Sequence, residues 1–237
     1  MSDVFSRFAP FIQEYIYRCK WEELREIQVL AARAIFDTDE NLLLSSGTAS
    51  GKTEAAFLPV LTQLWENPSA SVGVLYLSPL KALINDQFER LEGLLEEAAI
   101  PVTKWHGDAS AAAKKRVMKH PQGIIQTTPE SLESMLMHNS SGAYRLFSDL
   151  RFVIIDEMHY FMDNDRGLQL LCLLERLARL IGYHPRRIGL SATLGDCTSA
   201  VQWLNTDSGR DCIVPKCHEK GRALRLSVRF FPIKEKI

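Results

Sequence analysis

The stretch Leu42-Leu43-Leu44-Ser45-Ser46-Gly47-Thr48-Ala49-Ser50-Gly51-Lys52-Thr53 decides the fold of this chain. An apolar run of strand length ends in small residues, and a helix-forming pattern begins at Gly51. This order predicts a strand, a glycine-containing turn and a helix, whose backbone N–H groups and positive helix end together cradle a phosphate. Lys52 adds a charge for the outer phosphates, and the Thr53 hydroxyl is placed to bind Mg²⁺. The predicted nucleotide contacts are Gly47, Thr48, Ala49, Ser50, Gly51, Lys52 and Thr53.

A second chemical centre lies about a hundred residues later, at Asp156-Glu157. The apolar run Phe152–Ile155 predicts a buried strand, and the two carboxylates follow its end. Adjacent carboxylates repel each other when both are ionised in a dry place, so such a pair normally shares a cation or a proton. We expect Asp156 to hold Mg²⁺, usually through water, and Glu157 to orient the water that attacks the γ-phosphate. With Lys52 they predict the catalytic site of an NTPase.

The chain between and after these centres has the pattern of an α/β fold. From residue 70 onward, strand-like apolar runs alternate with helical patterns, which is typical of a mostly parallel sheet with helices on both faces. Residues 1–40 carry two amphipathic helical segments before the first strand. After the first strand, the predicted strands are Val72–Leu77, Val102–Trp105, Gly123–Thr127, Phe152–Ile155 and Arg187–Leu190.

Composition limits the class of protein. With 237 residues, 46% of them hydrophobic and 24% charged, the chain can bury a full core as one domain or one and a half. The net charge of −1 gives no overall basic field, so a nucleic-acid surface has to be a local patch. The five scattered cysteines are typical of reduced intracellular thiols. No signal-peptide pattern or membrane-length apolar run is present, so we expect a cytoplasmic protein with no membrane partner.

Two of the predicted strands end alike, in Ser78-Pro79 and in Thr128-Pro129. In each pair the hydroxyl residue fits a helix N-cap and the proline fits the first helical position. Two such helix starts at one sheet edge can hold successive phosphates of a nucleic-acid backbone, with charge from Lys81. The alternative is that these are ordinary capped helices of an α/β protein. The basic cluster at residues 114–119 is likewise either a phosphate contact or a solvated helix face.

Two further sites rest on their position relative to the phosphate loop. Gln28 precedes the first strand, and its amide both donates and accepts hydrogen bonds, as the edge of adenine does. Ser191 and Thr193 follow the strand Arg187–Leu190, and their hydroxyls are placed to relay changes from the carboxylate strand to the domain edge.

In this order, these residues resemble the motifs of superfamily 2 helicases of the DEAD/DEAH-box class, and among them the Lhr-like DExH helicases. His106-Gly107-Asp108 is similar to the segment between motifs Ia and Ib in the Lhr-like group. The other matches are Phe11 (as the stacking aromatic) and Gln28 with the Q motif, Ser46–Thr53 with motif I, Pro79–Leu83 with motif Ia, Thr128–Glu130 with motif Ib, Asp156–His159 with motif II and Ser191–Thr193 with motif III.

The resemblance implies a RecA-like P-loop NTPase domain that uses ATP and Mg²⁺ and binds DNA or RNA. It implies adenine contacts from Phe11 and Gln28. It also implies coupling through His159, Ser191 and Thr193. The implied nucleic-acid contacts are Pro79, Lys81, Gly107, Asp108, Thr128 and Pro129.

The expected organisation is a helical segment at 1–40, the first RecA-like domain at 41–215, and a strand with the start of a linker at 216–237. No motif of a second RecA-like domain follows, so the partner domain is expected to be absent from this chain. The leading hypothesis is an ATP-dependent helicase, of which this domain alone is weakly active or inactive. The alternatives are an ATP-driven translocase that does not unwind, within a restriction or repair complex, and a degenerate binding scaffold. Met158 and His159 lie outside the strict Asp-Glu-Ala-Asp group, which leaves DNA and RNA both open.

Overall fold

The computed structural model describes residues 3–47, 50–80, 92–107, 109–192, 194 and 196–217. Within these residues the fold is α/β, with one sheet between two layers of helices. None of the described helices is long and apolar enough to cross a membrane.

Among the described residues the sheet has seven strands in the order β3-β4-β2-β5-β6-β1-β7, and every described pairing is parallel. The strands predicted from apolar runs are confirmed, and the last of the predicted set extends one residue further at each end. The strands are β1 Asn41–Ser45, β2 Val72–Leu77, β3 Val102–Trp105, β4 Gly123–Thr127, β5 Phe152–Ile155, β6 Arg186–Ser191 and β7 Cys212–Ile213.

Helices cover both faces of the sheet, as the alternating pattern predicts. One layer contains α1 to α4, which share a buried core with Leu42 and Leu44 of β1. The other contains α5 to α9, which pack on Leu43 and on Val153 of β5. The helices are α1 Pro10–Arg18, α2 Glu26–Asp37, α3 Lys52–Glu66, α4 Glu92–Glu97, α5 Ala111–Lys119, α6 Pro129–His138, α7 Ser140–Phe147, α8 Asp165–Ile181 and α9 Thr198–Asn205.

Two buried arginines at the start of β6 tie helix ends to the sheet. Arg186 is 5% exposed and donates hydrogen bonds to the carbonyls of residues 34, 35, 38 and 40, around the end of α2. Arg187 donates to the carbonyls of Leu204 and Thr206 at the end of α9. Burial lowers the pKa of Arg186 to about 10. Both guanidinium groups therefore bind backbone carbonyls at or just beyond the carboxyl end of a helix.

The strand order decides where the polar strand ends meet. Because all strands are parallel, their carboxyl ends lie at one edge of the sheet, where ligands of open α/β folds bind. The ends of β1, β6 and β5 form one half of this edge, and those of β2, β4 and β3 form the other. At about 4.8 Å per strand, the edge extends for roughly 24 Å from β1 to β3.

Candidate functional site

The phosphate loop joins β1 to α3 as the sequence predicts. The Lys52 ammonium donates hydrogen bonds to the carbonyls of Ser46 (2.5 Å) and Gly47 (3.0 Å). The hydroxyls of Ser46 and Ser50 lie 2.6 Å apart and close the loop on itself. Ser46 departs from the usual motif, and this hydrogen bond gives it a structural role. Gly51 has φ +85°, a left-handed conformation that favours glycine.

Gln28 lies against this loop, at the start of α2. Its side chain is 2% exposed, and its Oε1 accepts a hydrogen bond from the backbone N–H of Arg25 at 2.9 Å. Its Nε2 would stand only 3.0 Å from a Cβ at Gly51, so the loop passes close to this amide. The structure therefore brings Gln28 to the nucleotide loop, with its carbonyl oxygen engaged in capping its own helix.

The structure does not bring Phe11 to the loop, which corrects the expectation that it contacts the nucleotide. The Phe11 ring lies 6.2 Å from Trp65, in the last turn of α3. The phosphate loop precedes the first turn of the same helix, about 20 Å away. Phe11 is instead part of the packing between α1 and the carboxyl end of α3.

A different aromatic pair, missed in the sequence, lies near the start of α3. Burial, with nearby Cys19 and Glu54, raises the pKa of Tyr15 to about 12, and Glu54 belongs to the first turn of α3. The Trp21 ring packs edge-on against Tyr15 at 5.9 Å. The available signal was the position of Trp21, seven residues before Gln28 in the loop that leads into α2.

Asp156 is buried at the end of β5. It is 3% exposed, its backbone N–H donates to the Leu77 carbonyl at 2.8 Å, and its Oδ2 accepts a 2.6 Å hydrogen bond from the Tyr76 hydroxyl. Burial raises the pKa of Asp156 to about 6, even though the Tyr76 hydrogen bond and the Lys52 charge oppose the shift. The neighbouring Glu157 charge adds to the rise. The spacing of residues in the sequence did not indicate that Tyr76 contacts Asp156.

Glu157 holds a strained backbone and faces the phosphate loop. Its φ of +46° is rare for a residue with a side chain and costs on the order of 1–3 kcal/mol. Burial lowers the pKa of Lys52, and the charges of Glu157 and Asp156 partly oppose this. Lys52, Asp156 and Glu157 therefore lie within electrostatic reach of one another, across the ends of β1 and β5.

His159 connects the carboxylate segment to the end of β6. Its Nδ1 lies 3.4 Å from a Glu157 carboxylate oxygen, 3.4 Å from the Ser191 hydroxyl and 3.5 Å from the Ala192 backbone N–H. The Ser45 hydroxyl donates to the Ala192 carbonyl at 3.2 Å, which ties the phosphate-loop strand to the same segment. These contacts provide a path between the two centres, and the relay role of Ser191 stays a prediction.

In the other half of the edge, the two Ser/Thr-Pro pairs differ. Thr128 is the N-cap residue of α6 and Pro129 is its first residue, as predicted, but the Thr128 side chain makes no capping hydrogen bond. Residues 78–80 are not helical, and residues 81–91 lie outside the described part of the chain, so the helix expected after Ser78-Pro79 stays a prediction. The Ser78 hydroxyl donates to the Leu80 carbonyl at 3.3 Å.

Hydrogen bonds hold the ends of β2, β4 and β3 together. The Ser78 N–H donates to the Thr127 carbonyl at 3.1 Å, and the Thr127 hydroxyl donates to the Trp105 carbonyl at 2.6 Å. Gly107 is exposed just beyond β3. From the basic cluster, Lys114 donates to the His106 carbonyl at 2.6 Å, so this lysine fixes the turn after β3.

Several predicted residues lie outside the part of the chain that the structure describes. The predicted third segment, 216–237, is described only at its first two residues. The site residues concerned are Thr48, Ala49, Lys81, Asp108 and Thr193.

The residues at the loop fit a magnesium ion. Mg²⁺ prefers oxygen ligands, keeps several waters and is usually held by one or two carboxylates together with substrate phosphates. The buried Asp156, with its raised pKa and a second carboxylate beside it, is the kind of group that a divalent cation would stabilise in its ionised form. No group of three or more acidic, His or Cys residues with metal-site geometry occurs among the described residues.

Comparison with known families finds one match that covers most of the chain. The sequence model of the DEAD/DEAH box helicases matches residues 25–200. The chain is 33% identical over 231 residues to the ATP-dependent helicase Lhr-Core of Methanothermobacter thermautotrophicus. That match covers 90% of this chain and 26% of the relative. This chain is also 31% identical to the ATP-dependent DNA helicase Hel308 of Methanococcus vannielii, and that match covers 88% of this chain and 27% of the relative.

Solved structures are similar over nearly the whole chain. A structure of the Mycobacterium smegmatis helicase Lhr bound to ssDNA and AMP-PNP matches with a TM-score of 0.76 at 30% identity, covering 91% of this chain and 28% of that one. The DUF1998 helicase MrfA bound to DNA and AMPPNP matches with a TM-score of 0.78 at 26% identity, covering 92% of this chain and 30% of that one. The chain therefore spans about a quarter of the length of the curated relatives it matches.

Proposed function

The chain belongs to the DEAD/DEAH box helicases, and from this premise we propose that it is the ATP-binding RecA-like domain of a larger motor that moves on DNA and unwinds it. One observation carries the proposal. A phosphate loop with Lys52 and a buried carboxylate pair at Asp156-Glu157 lie within electrostatic reach across the same sheet edge.

The phosphates of ATP are bound by the backbone N–H groups at the start of α3 and by Lys52. The Lys52 ammonium exchanges its hydrogen bonds with the Ser46 and Gly47 carbonyls for phosphate oxygens. Thr53 and Asp156 would hold Mg²⁺, which neutralises phosphate charge when bound. Tyr76 donates a hydrogen bond to one carboxylate oxygen of Asp156 and so orients this side chain.

Glu157 is the group we assign to activate water. Its left-handed backbone turns the chain sharply after β5, next to the phosphate loop. There it accepts a hydrogen bond from the attacking water and then its proton. His159, in contact with both Glu157 and Ser191, carries changes at this carboxylate to the end of β6.

The nucleic acid is assigned to the half of the edge formed by β2, β4 and β3. Thr128 and Pro129 begin α6, so its free N–H groups and positive end suit a backbone phosphate. Pro79 and exposed Gly107 line the neighbouring strand ends. DNA is favoured over RNA because the similar structures of Lhr and MrfA contain DNA.

A second RecA-like domain, outside this chain, completes the proposed enzyme. Phosphoryl-transfer sites of this kind gain a large part of their rate from an arginine supplied across an interface. The isolated chain is therefore expected to bind ATP and to hydrolyse it poorly.

The test uses the full-length protein and measures ATP hydrolysis with no polymer, single-stranded DNA, duplex DNA and RNA at low salt. We expect stimulation by single-stranded DNA and loss of turnover, with ATP binding retained, in Glu157→Gln. Turnover insensitive to every polymer would refute a nucleic-acid motor. Stimulation by RNA alone would refute the choice of DNA, and stimulation without strand displacement would favour a translocase that does not unwind.

A further inference from the structure

Arg166, the second residue of α8, contacts the segments that follow three different strands. Its Nε donates to the Glu130 carboxylate in the first turn of α6 at 2.7 Å. Its Nη2 donates to the Pro79 carbonyl, just beyond β2, at 2.7 Å. Its guanidinium carbon lies 5.5 Å from the centre of the Phe161 ring, in the segment that follows β5. One side chain therefore bridges the two halves of the edge where they meet.

The backbone around Arg166 is held closely to the Glu157 segment. A Cβ on Gly167 would stand 1.6 Å from the Phe161 carbonyl oxygen, so only glycine lets α8 begin this near. Asn164 caps the helix by accepting from the Gly167 N–H at 3.0 Å. The same side chain donates to the Tyr160 carbonyl at 2.9 Å. The backbone that carries Arg166 therefore packs directly against the short segment that begins at Glu157.

Arg166 also resolves a charge conflict at the start of α6. A helix start that binds phosphate should not present an unpaired carboxylate to it, yet Glu130 lies in this turn. Burial alone would raise the pKa of Glu130, but hydrogen bonds from Arg166 and Thr128 hold it below its ordinary value. With Arg166 in place, the carboxylate is paired and the N–H groups of α6 remain suited to an anion.

We propose that Arg166 is a positioning residue that couples the two halves of the site. It sets the spacing between Pro79 and the start of α6, neutralises Glu130, and links both to the segment that carries Glu157. This inference rests on the proposed function, because it assigns the polymer to that half of the edge. Its consequence is that polymer and ATP strengthen each other's binding through this side chain.

The test measures the affinity of the full-length protein for fluorescent single-stranded DNA, with and without a non-hydrolysable ATP analogue and Mg²⁺. The wild type should bind DNA more tightly with the analogue. Arg166→Ala should weaken DNA binding about tenfold and reduce the enhancement by the analogue to near one. Arg166→Lys keeps a charge but loses the forked contact, so it should recover only part of the affinity.

Two further variants separate positioning from general damage. Glu130→Gln in the Arg166→Ala background should restore part of the DNA affinity, since it removes the unpaired carboxylate. A purely structural role of Arg166 predicts no such rescue. Arg179→Ala is the matched control, because Arg179 forms an exposed ion pair with Glu175 on the same helix, and it should leave both measurements unchanged.

The outcomes distinguish the two proposals. If the wild type binds DNA, and Arg166→Ala binds it with the same affinity and the same enhancement by the analogue, the role of Arg166 is overturned. The proposed motor function then still stands. Absence of DNA binding by the wild type overturns the proposed function and this inference with it.

Discussion

Replacing Asp156 with asparagine should make the chain more stable at neutral pH, although it removes a proposed ligand of Mg²⁺. Asp156 is almost fully buried, and its pKa rises from 3.8 to about 6, first because of burial. The folded state therefore disfavours the ionised carboxylate. Asparagine is uncharged at every pH and keeps an oxygen that accepts the hydrogen bond from Tyr76.

The size of the effect follows from the difference in proton binding between the folded and unfolded states. Below pH 3.8 both states are protonated, so the carboxylate costs nothing. Between pH 3.8 and 6 the unfolded state loses its proton first, and the free energy of unfolding falls as the pH rises. The cost is about 1–2 kcal/mol at pH 5 and levels off at about 3 kcal/mol by pH 8.

The assay is urea unfolding of the wild-type and Asp156→Asn chains from pH 5 to pH 8, without Mg²⁺ or nucleotide. Asp149→Asn is the control of opposite sign. Burial would raise the pKa of Asp149, but the Ala70 N–H, Arg151 and Ser69 hold it below its ordinary value. This control should lose stability at neutral pH. An Asp156→Asn chain no more stable than the wild type at pH 8, or a gain independent of pH, would refute the reasoning.

The remaining predictions concern the stability of the fold, the requirement for Mg²⁺ and the aromatic residues that contact the nucleotide base. Arg186→Met should lower the free energy of unfolding by about 3 kcal/mol in urea, because it leaves buried carbonyls unpaired; a loss under 1 kcal/mol would contradict this. Tyr76→Phe removes only the hydroxyl on Asp156 and should raise several-fold the Mg²⁺ concentration needed for ATP-analogue binding by calorimetry; an unchanged requirement would count against it. Trp21→Ala should weaken binding of the analogue about tenfold and Phe11→Ala should not; the reverse order would restore the sequence-based assignment.

The sequence allows the sheet and the chemical centres to be predicted because both depend on local pattern. An apolar run such as Phe152–Ile155 is long enough for one buried strand and too short for a helix. Parallel strands then bring Lys52 and Asp156 to one edge even though a hundred residues separate them. The predicted strand begins one residue too late, at Arg187. An arginine is normally interpreted as a strand boundary, and the carbonyl partners that allow Arg186 to be buried cannot be recognised in the sequence.

The errors and omissions concern contacts that local pattern does not encode. Ser78-Pro79 and Thr128-Pro129 look alike, but Pro129 is the first residue of a helix whereas residues 78–80 are not helical. Packing determines which end of α3 each face of α1 contacts. It places Phe11 at the carboxyl end of α3, away from the phosphate loop. The contact between Arg166 and Glu130 joins residues 36 positions apart. To predict this contact from the sequence, one would have to know how α6 and α8 are aligned against each other.

The most direct test of the account is a titration of the purified chain with a fluorescent ATP analogue in Mg²⁺, for the wild type and for Lys52→Ala. In the proposed site the nucleotide phosphates lie between the start of α3 and the Asp156-Glu157 pair. We therefore expect saturable binding by the wild type and at least about a tenfold loss in Lys52→Ala, with an unchanged unfolding transition. Equal affinity in the two proteins would contradict the central claim.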